Sequence, residues 1–308
     1  MTEPSLEDLA ALWLATMREG DWSRAWQISD EVLRRSDRRG MELRPRHLQS
    51  VWDGTALAGK HVLVRCYHGL GDTVQFVRFA RPLREIAARV SLWAQPQLVD
   101  VLTRVDGVDE VLPLHDGEIN LRYDVDIEIM ELPYALGTSL QDLPNAVPYI
   151  GDGIQRFTSR ASGHLAVGLV WASGDWDETR SIHPQLFVPL MQIPHITWKV
   201  LQRGPALARC PPGLGTIPRL ACINDELREL ASLDLLVTVD TASAHLAGAL
   251  GVRTWTLLPT RADWRWMQER DDSPWYPTMR LFRQDGSDWA GVLSRVEKAL
   301  RELASVIE

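Results

Sequence analysis

The stretch Leu235-Leu236-Val237-Thr238-Val239-Asp240-Thr241-Ala242-Ser243-Ala244-His245 decides how this chain folds. Five apolar and β-branched residues read as a buried strand, which stops at an aspartate before small residues open a helix-period pattern. An earlier stretch has the same grammar: His61-Val62-Leu63-Val64-Arg65-Cys66-Tyr67-His68-Gly69-Leu70-Gly71-Asp72-Thr73. A turn of this kind at the carboxyl end of a parallel strand aims backbone N–H groups outward, at the positive end of a helix dipole. Two such junctions, far apart in the chain, predict an α/β protein with two Rossmann-like halves facing a cleft.

Working outward from the first junction, strand-like runs fall at 61–66, 89–94, 108–112 and 123–130, with helical patterns over 74–88 and 97–105. Around the second, strands are predicted at 165–171, 196–202, 215–217, 234–239 and 252–258. Strands alternating with helices require a parallel sheet with crossovers. A Pro/Gly/Ser-rich stretch at 144–163 separates the two rhythms as a linker. At the amino end, Leu6, Leu9, Leu12, Trp13 and Met17 recur at helical spacing, Gly20-Asp21 interrupts, and Trp22, Ala25, Trp26, Ile28, Val32 and Leu33 resume the period. This helical hairpin resembles one tetratricopeptide repeat, a unit that needs a neighbour to cover its face. The expected organisation is a hairpin over 1–44, a first Rossmann-like domain over 45–155, a second over 156–288 and a terminal helix over 289–308.

Composition narrows the function classes. The 308 residues are 45% hydrophobic and 24% charged, and the net charge of −8 argues against a nucleic-acid partner. Three widely spaced cysteines, Cys66, Cys210 and Cys222, form no framework and fit a reducing compartment. No run is long and apolar enough for a membrane span, and the acidic first residues lack a secretory signal, so a cytoplasmic protein is expected. Thirteen tryptophans are an unusual number, and indole both fills cores and stacks on sugar faces or nucleobases.

Each junction has a plain reading beside a functional one. In Gly69-Leu70-Gly71-Asp72 the glycines permit close approach of a ligand, while Asp72 either caps the helix start or faces the cleft. The turn departs from the dinucleotide fingerprint, having Val74 where a third glycine belongs. In the 240–245 turn, accessible N–H groups and the hydroxyls of Thr241 and Ser243 suit a diphosphate. His245 either bonds a phosphate or packs against the sheet. The strings Asp124-Val125-Asp126 and Asp175-Trp176-Asp177 mimic metal motifs, but they lie far apart in the chain and read as chance. In the Trp264/Trp266 and Trp275/Tyr276 segment two readings stand: a wall of the cleft, with Arg265 a partner of the donor, or a rigid packing loop.

Together these residues carry a family resemblance. Gly-Leu-Gly-Asp-Thr-Val-Gln-Phe (69–76), Gly-Val-Asp-Glu-Val (107–111), Gly-Leu-Val-Trp (168–171), Arg180-Ser181-Ile182 and Val-Asp-Thr-Ala-Ser-Ala-His-Leu-Ala-Gly-Ala-Leu-Gly (239–251) resemble, in order, the heptosyltransferase-type glycosyltransferases of family 9. The likeness extends to the bacterial branch associated with tetratricopeptide repeats and covers nearly all of 45–300. It implies a GT-B fold and inverting transfer from a nucleotide-sugar donor to a hydroxyl of a protein or glycan acceptor, with no cofactor and no essential metal. By the same resemblance Asp72 matches the general base. Asp240, Thr241 and His245 match the donor-diphosphate motif, with Ala242 and Ser243 inside it, and Arg180 lies near the leaving phosphate. Gly69, Gly71, Gln75, Gln202, Arg265 and Trp266 are candidates for the cleft wall. The hairpin is a candidate surface for homo-oligomerisation.

Two segments depart from the family pattern. The 172–179 loop is acidic, and Asp126-Ile127-Glu128-Ile129-Met130-Glu131 precedes Leu132-Pro133 where a His and small residues are usual. These departures leave a rival open, a non-catalytic scaffold or regulator of a glycosylation system. A sugar-nucleotide epimerase is a second rival, for which no acid/base pair stands out.

Overall fold

A computed structural model describes residues 3–36, 39–151, 153–154, 163–174, 177–286 and 288–305. The chain forms two compact units, one of Met1–Asn145 with Asp263–Glu269 and one of Ala146–Ala262 with Arg270–Glu308. The amino-terminal hairpin belongs to the first unit, and the 263–269 segment leaves the second unit to join it.

Unit 1 begins with α1 (Leu6–Glu19) and α2 (Trp22–Arg35). Ser5 caps α1 in a reciprocal bond pair with Asp8, and Gly20 ends it in the left-handed conformation that glycine adopts without cost. Asp21 then caps α2, so two consecutive residues close one helix and open the next. Its sheet comprises β1 (His61–Arg65), β2 (Arg89–Ala94), β3 (Glu110–Pro113) and β4 (Val125–Glu128), all parallel in the order β3-β2-β1-β4. Helix α3 (Leu70–Phe76) follows β1 directly, α4 (Ala80–Ile86) leads into β2, and α5 (Val99–Leu102) and α6 (Leu132–Ala135) are single turns. Gly107 is obligatory in the α5-to-β3 connection: its φ is +88°, and a Cβ there would lie 2.5 Å from the Arg81 backbone.

Unit 2 carries β5 (Leu165–Val170), β6 (Ile196–Val200), β7 (Leu235–Val239), β8 (Thr254–Leu258) and β9 (Met279–Arg283), again all parallel, in the order β6-β5-β7-β8-β9. Helices α7 (Ile223–Ala231), α8 (Ala242–Ala249) and α9 (Ala290–Ala304) accompany it. Strands β7 and β8 are buried at every position, as expected where helices cover both faces of a parallel sheet. The terminal helix packs Val292, Val296 and Leu300 into this core beside Trp171, Phe187 and Trp255.

Several elements differ from the sequence expectation. The 215–217 strand shrinks to one parallel bridge between Lys199 and Thr216. The 123–130 strand stops at Glu128, whose carboxylate accepts the N–H of Met130 and turns the chain into a 3-10 turn. Strand β9 was not anticipated. Residues 155–162 of the expected linker and the last residues of the expected terminal helix lie outside the described residues.

The strand orders locate the sites. In each unit the chain first builds to one side of its opening strand and then crosses to the other. This creates a switch point between β1 and β4 in unit 1 and between β5 and β7 in unit 2. In open α/β sheets ligands bind beyond the carboxyl ends of the strands at such points.

Candidate functional site

In unit 2 the switch point brings together residues from the ends of β5 and β7. Thr241, in extended conformation, caps α8, whose first turn holds only small residues before His245. The leading N–H groups of a helix have no partner within it, so this end favours an anion. Asp240, almost fully buried, precedes the cap, and Arg180 Nη1 stands 3.4 Å from its carboxylate. The same guanidinium lies 3.4 Å from Asp177, and 18% of its side chain remains exposed. Thr241 and Ala242 are also partly exposed. A cation and the leading amides of a helix therefore converge beyond the ends of β5 and β7, an arrangement suited to a phosphate-bearing ligand.

Behind this edge the turn is held by buried polar bonds. His245 is buried, with Nδ1 2.9 Å from the Tyr276 hydroxyl and Nε2 3.9 Å from Asp240. It thus backs Asp240 from inside the fold. Ser243, expected to offer its hydroxyl to a diphosphate, instead donates it to buried Glu226, which Arg203 also meets at 3.0 Å. Gln202 sits at the end of β6, where its side-chain oxygen accepts the N–H groups of Trp171 and Ala172 and fixes the start of the 171–174 loop. Gly248 lets α8 close onto Tyr276, since a Cβ there would be 2.5 Å from that ring.

In unit 1 the switch point is built from the 66–72 turn and the end of β4. Asp72 occupies the third position of α3, one turn in from the cap residue. Its Oδ2 accepts the Gly69 N–H at 2.9 Å, a closure tight enough that a Cβ on Gly69 would lie 3.1 Å from the same oxygen. Its Oδ1 meets Arg265 Nη2 at 2.8 Å. Asp72 is therefore not the N-cap, a place taken by Gly69; it closes the cap from the third position with one carboxylate oxygen, and its side chain is still 19% exposed. Gly71 is partly exposed in the first turn.

Three of the cleft candidates are buried or paired in the structure. Arg265, expected as a partner of the donor, belongs to unit 1. There it pairs with Asp72 while its guanidinium packs over the Phe76 and Trp264 rings, at 5.9 and 5.7 Å. Trp266 is fully buried, as are Trp275 and Tyr276, so the packing reading describes these rings. Gln75 is also fully buried, and its side-chain amide makes no hydrogen bond among the described residues.

The structure adds a group that the sequence did not single out. Glu128, at the end of β4, is buried, and its carboxylate accepts the Tyr67 and Met130 N–H groups. His68 Nδ1 lies 2.9 Å from it, a close charge contact rather than an aligned hydrogen bond. Burial would lower the His68 pKa, but Glu128 outweighs it, Asp72 adds to the rise and Arg265 opposes it, so the imidazole titrates above its ordinary value. Next to it Glu131 accepts the Trp52 and Glu128 N–H groups, and burial pushes its carboxyl up to about 7. The single sequence signal was the acidic departure at 126–131.

Among the described residues no group of three or more His, Cys, Asp or Glu side chains is arranged to hold a metal ion. Asp124 accepts the His61 N–H and Asp126 pairs with Arg65 at 2.7 Å, so the first acidic string is structural. Asp175 and Trp176 of the second lie outside the described residues, and Asp177 caps the turn that carries Arg180. No described helix is long and apolar enough to cross a membrane.

Comparison with known proteins places this geometry among solved folds. No family model matches the chain. Protein FlbA of Caulobacter vibrioides is 25% identical over 290 residues, 82% of this chain and 48% of FlbA, so the chain spans about half the length of that relative. Among solved structures, ADP-heptose lipopolysaccharide heptosyltransferase II of E. coli superposes with a TM-score of 0.56 at 15% identity, over 79% of this chain and 98% of that one. The family 9 glycosyl transferase of Veillonella parvula gives 0.51 at 10% identity, over 80% and 91%. The iron-containing dodecameric heptosyltransferase TibC, solved with ADP-D-β-D-heptose, gives 0.55 at 11%, over 82% and 79%. The likeness is one of fold: two parallel-sheet units of the GT-B heptosyltransferase kind.

Proposed function

We propose that this chain is a glycosyltransferase that takes a nucleotide-sugar donor on unit 2 and an acceptor hydroxyl, of a protein or a glycan, on unit 1. One observation carries the reading: Arg180, steered by buried Asp240, stands at the amino end of α8, beyond the carboxyl ends of the neighbouring strands β5 and β7. In sugar transfer the departing nucleoside diphosphate gains negative charge, which a guanidinium and oriented amides stabilise. This arrangement supplies that stabilisation without a metal ion. Asp240 is then a positioning residue, its carboxylate holding Arg180, with His245, itself bonded to the Tyr276 hydroxyl, 3.9 Å behind it. In unit 1, Asp72 is the proposed base that takes the acceptor's proton as its oxygen attacks the anomeric carbon, giving inversion. Solved proteins of this fold that carry ADP-heptose support the donor class.

A second reading, a body that binds nucleotide sugars without turning them over, draws on the pairing of Asp72 with Arg265. One experiment separates the two. The full chain is screened by thermal shift against nucleoside diphosphates and nucleotide sugars, since a ligand of the folded state raises the melting temperature. Release of nucleoside diphosphate from the stabilising donors is then followed. Stabilisation with release supports the enzyme, stabilisation without release supports the second reading, and no stabilisation by any nucleotide overturns both.

A further inference from the structure

Unit 1 contains a cavity of about 260 Å³ beside its switch point, walled by Trp13 and Trp26 of the hairpin, Trp264, His68, Glu128 and Glu131. We propose that it is a saccharide subsite that takes one neutral sugar ring, with the helical hairpin supplying its aromatic wall. That the ring belongs to the acceptor rests on the glycosyltransferase reading; the binding itself does not.

The aromatic wall is rigid. The Trp13 indole N–H is engaged by Ser29 at 3.1 Å and that of Trp26 by the Thr138 carbonyl at 2.7 Å. Trp13 meets Trp264 edge to face at 5.4 Å, and Trp26 leans on Tyr134 at 5.7 Å. With their N–H groups already bonded, these rings offer a ligand only ring carbon. The C–H groups of a pyranose carry partial positive charge and pack well against the negative face of an indole.

The polar wall sets the ligand's charge. An aromatic and acidic pocket can instead attract an ammonium group, but here each acid is compensated. Glu128 is matched by His68, which it holds toward the cationic form, and burial pushes the Glu131 carboxyl up to about 7. Arg265 lies behind Trp264. Below about pH 7 the cavity therefore carries little net charge while remaining rich in hydrogen-bond acceptors, which fits hydroxyl groups rather than a cation or a carboxylate. Its volume falls below the ~300–1,000 Å³ of sites for drug-sized ligands, which limits the occupant to about one ring.

The test uses the full chain and saturation-transfer NMR with titration. The probes are the methyl glycosides of glucose, galactose, mannose and N-acetylglucosamine, with methyl glucuronoside and Nα-acetyl-lysine amide beside them. At least one neutral glycoside should bind with a Kd of order 1–10 mM, the weak range expected for a single ring. Met130→Trp, which fills the cavity from its wall, should weaken that binding at least about tenfold, and Trp13→Leu should do the same by removing a packing surface. Circular dichroism and the nucleotide-induced thermal shift check that both variants fold. Stronger binding of the lysine or glucuronoside probe, absence of binding by every neutral glycoside, or glycoside binding unchanged in folded Met130→Trp overturns the proposal. Sugar binding without any nucleotide shift would remove the glycosyltransferase reading and leave the subsite standing, and the converse would do the opposite.

Discussion

The two strand-to-helix junctions that share one sequence grammar have unequal chemistry. At each an aspartate meets an arginine from elsewhere in the same unit. In unit 2 the aspartate is buried and the arginine keeps the outer position, so the pair presents a positive charge beside helix amides. In unit 1 the arginine is the more enclosed partner, at 10% exposure against 19%, and the pair presents carboxylate. The lesson is that polarity at a switch point is set by which partner the tertiary fold encloses, not by the turn motif.

The largest expected effect tests the carboxylate side. Asp72→Asn keeps the size and the acceptor oxygen facing Gly69 but removes the base, and should lower transfer by about 10²–10⁴-fold with nucleotide affinity unchanged. Single-turnover release from a donor identified by thermal shift measures it. Retained turnover would transfer the role to another group, with His68, whose pKa the Asp72 charge helps to raise, the next candidate.

The cationic side should show the complementary pattern. Arg180→Ala removes charge-assisted bonds worth ~1.5–3 kcal/mol, so nucleoside diphosphate affinity should fall about 10–100-fold. Arg180→Lys should recover only part of this, because a point charge lacks the planar fork. Calorimetric titration of both variants decides it, and an unchanged affinity in Arg180→Ala would place the diphosphate elsewhere.

How much of this contrast was legible in the sequence follows from the range of the interactions involved. The β-branched runs at 61–65 and 235–239 announced buried parallel strands, because such strands are apolar on both faces. Strand β9 was missed because Arg280 and Arg283 interrupt Met279, Leu281 and Phe282, and only the pairing with β8 makes the segment a strand. Asp72 stands out in the sequence through its strand-to-helix turn, whereas Arg180 enters only through the family resemblance. The partnership of Arg265 with Asp72 spans two distant segments, and no spacing rule reaches across it. Glu128 and Glu131 looked like departures from a family pattern, whereas in the fold they organise the end of β4 through backbone N–H groups.

A smaller effect probes the rigidity behind the cationic edge. Gly248→Ala would press a methyl group into the Tyr276 ring and disturb its bond to His245. The cost should be about 1–3 kcal/mol in denaturant melts, the range for overpacking a tight core. A loss of nucleotide affinity beyond that explained by stability would show that the buried relay through His245 and Asp240 holds Arg180 in place. Normal affinity in the folded variant would reduce the relay to packing.

The smallest effect lies in the acid side's dependence on pH. Glu131 keeps its proton up to about pH 7 in the folded protein, against an ordinary value of 4.5, because burial penalises its charge. Between these values the folded state binds more protons than the unfolded one, so this group makes stability fall as pH rises. His68 acts in the same direction over a higher window: its contribution is complete below 6.5 and lost as pH passes its raised folded value. Glu131→Gln removes the first contribution and leaves the second. Its melting temperature relative to the native chain should therefore rise from about pH 5 to about pH 8, even if the lost carboxylate bonds lower both values. Parallel curves would mean that Glu131 is ionised throughout. The cavity it lines would then be acidic and its charge balance with His68 and Glu128 would fail, separating unit 1 from unit 2 by a full negative charge rather than by the enclosure of an arginine.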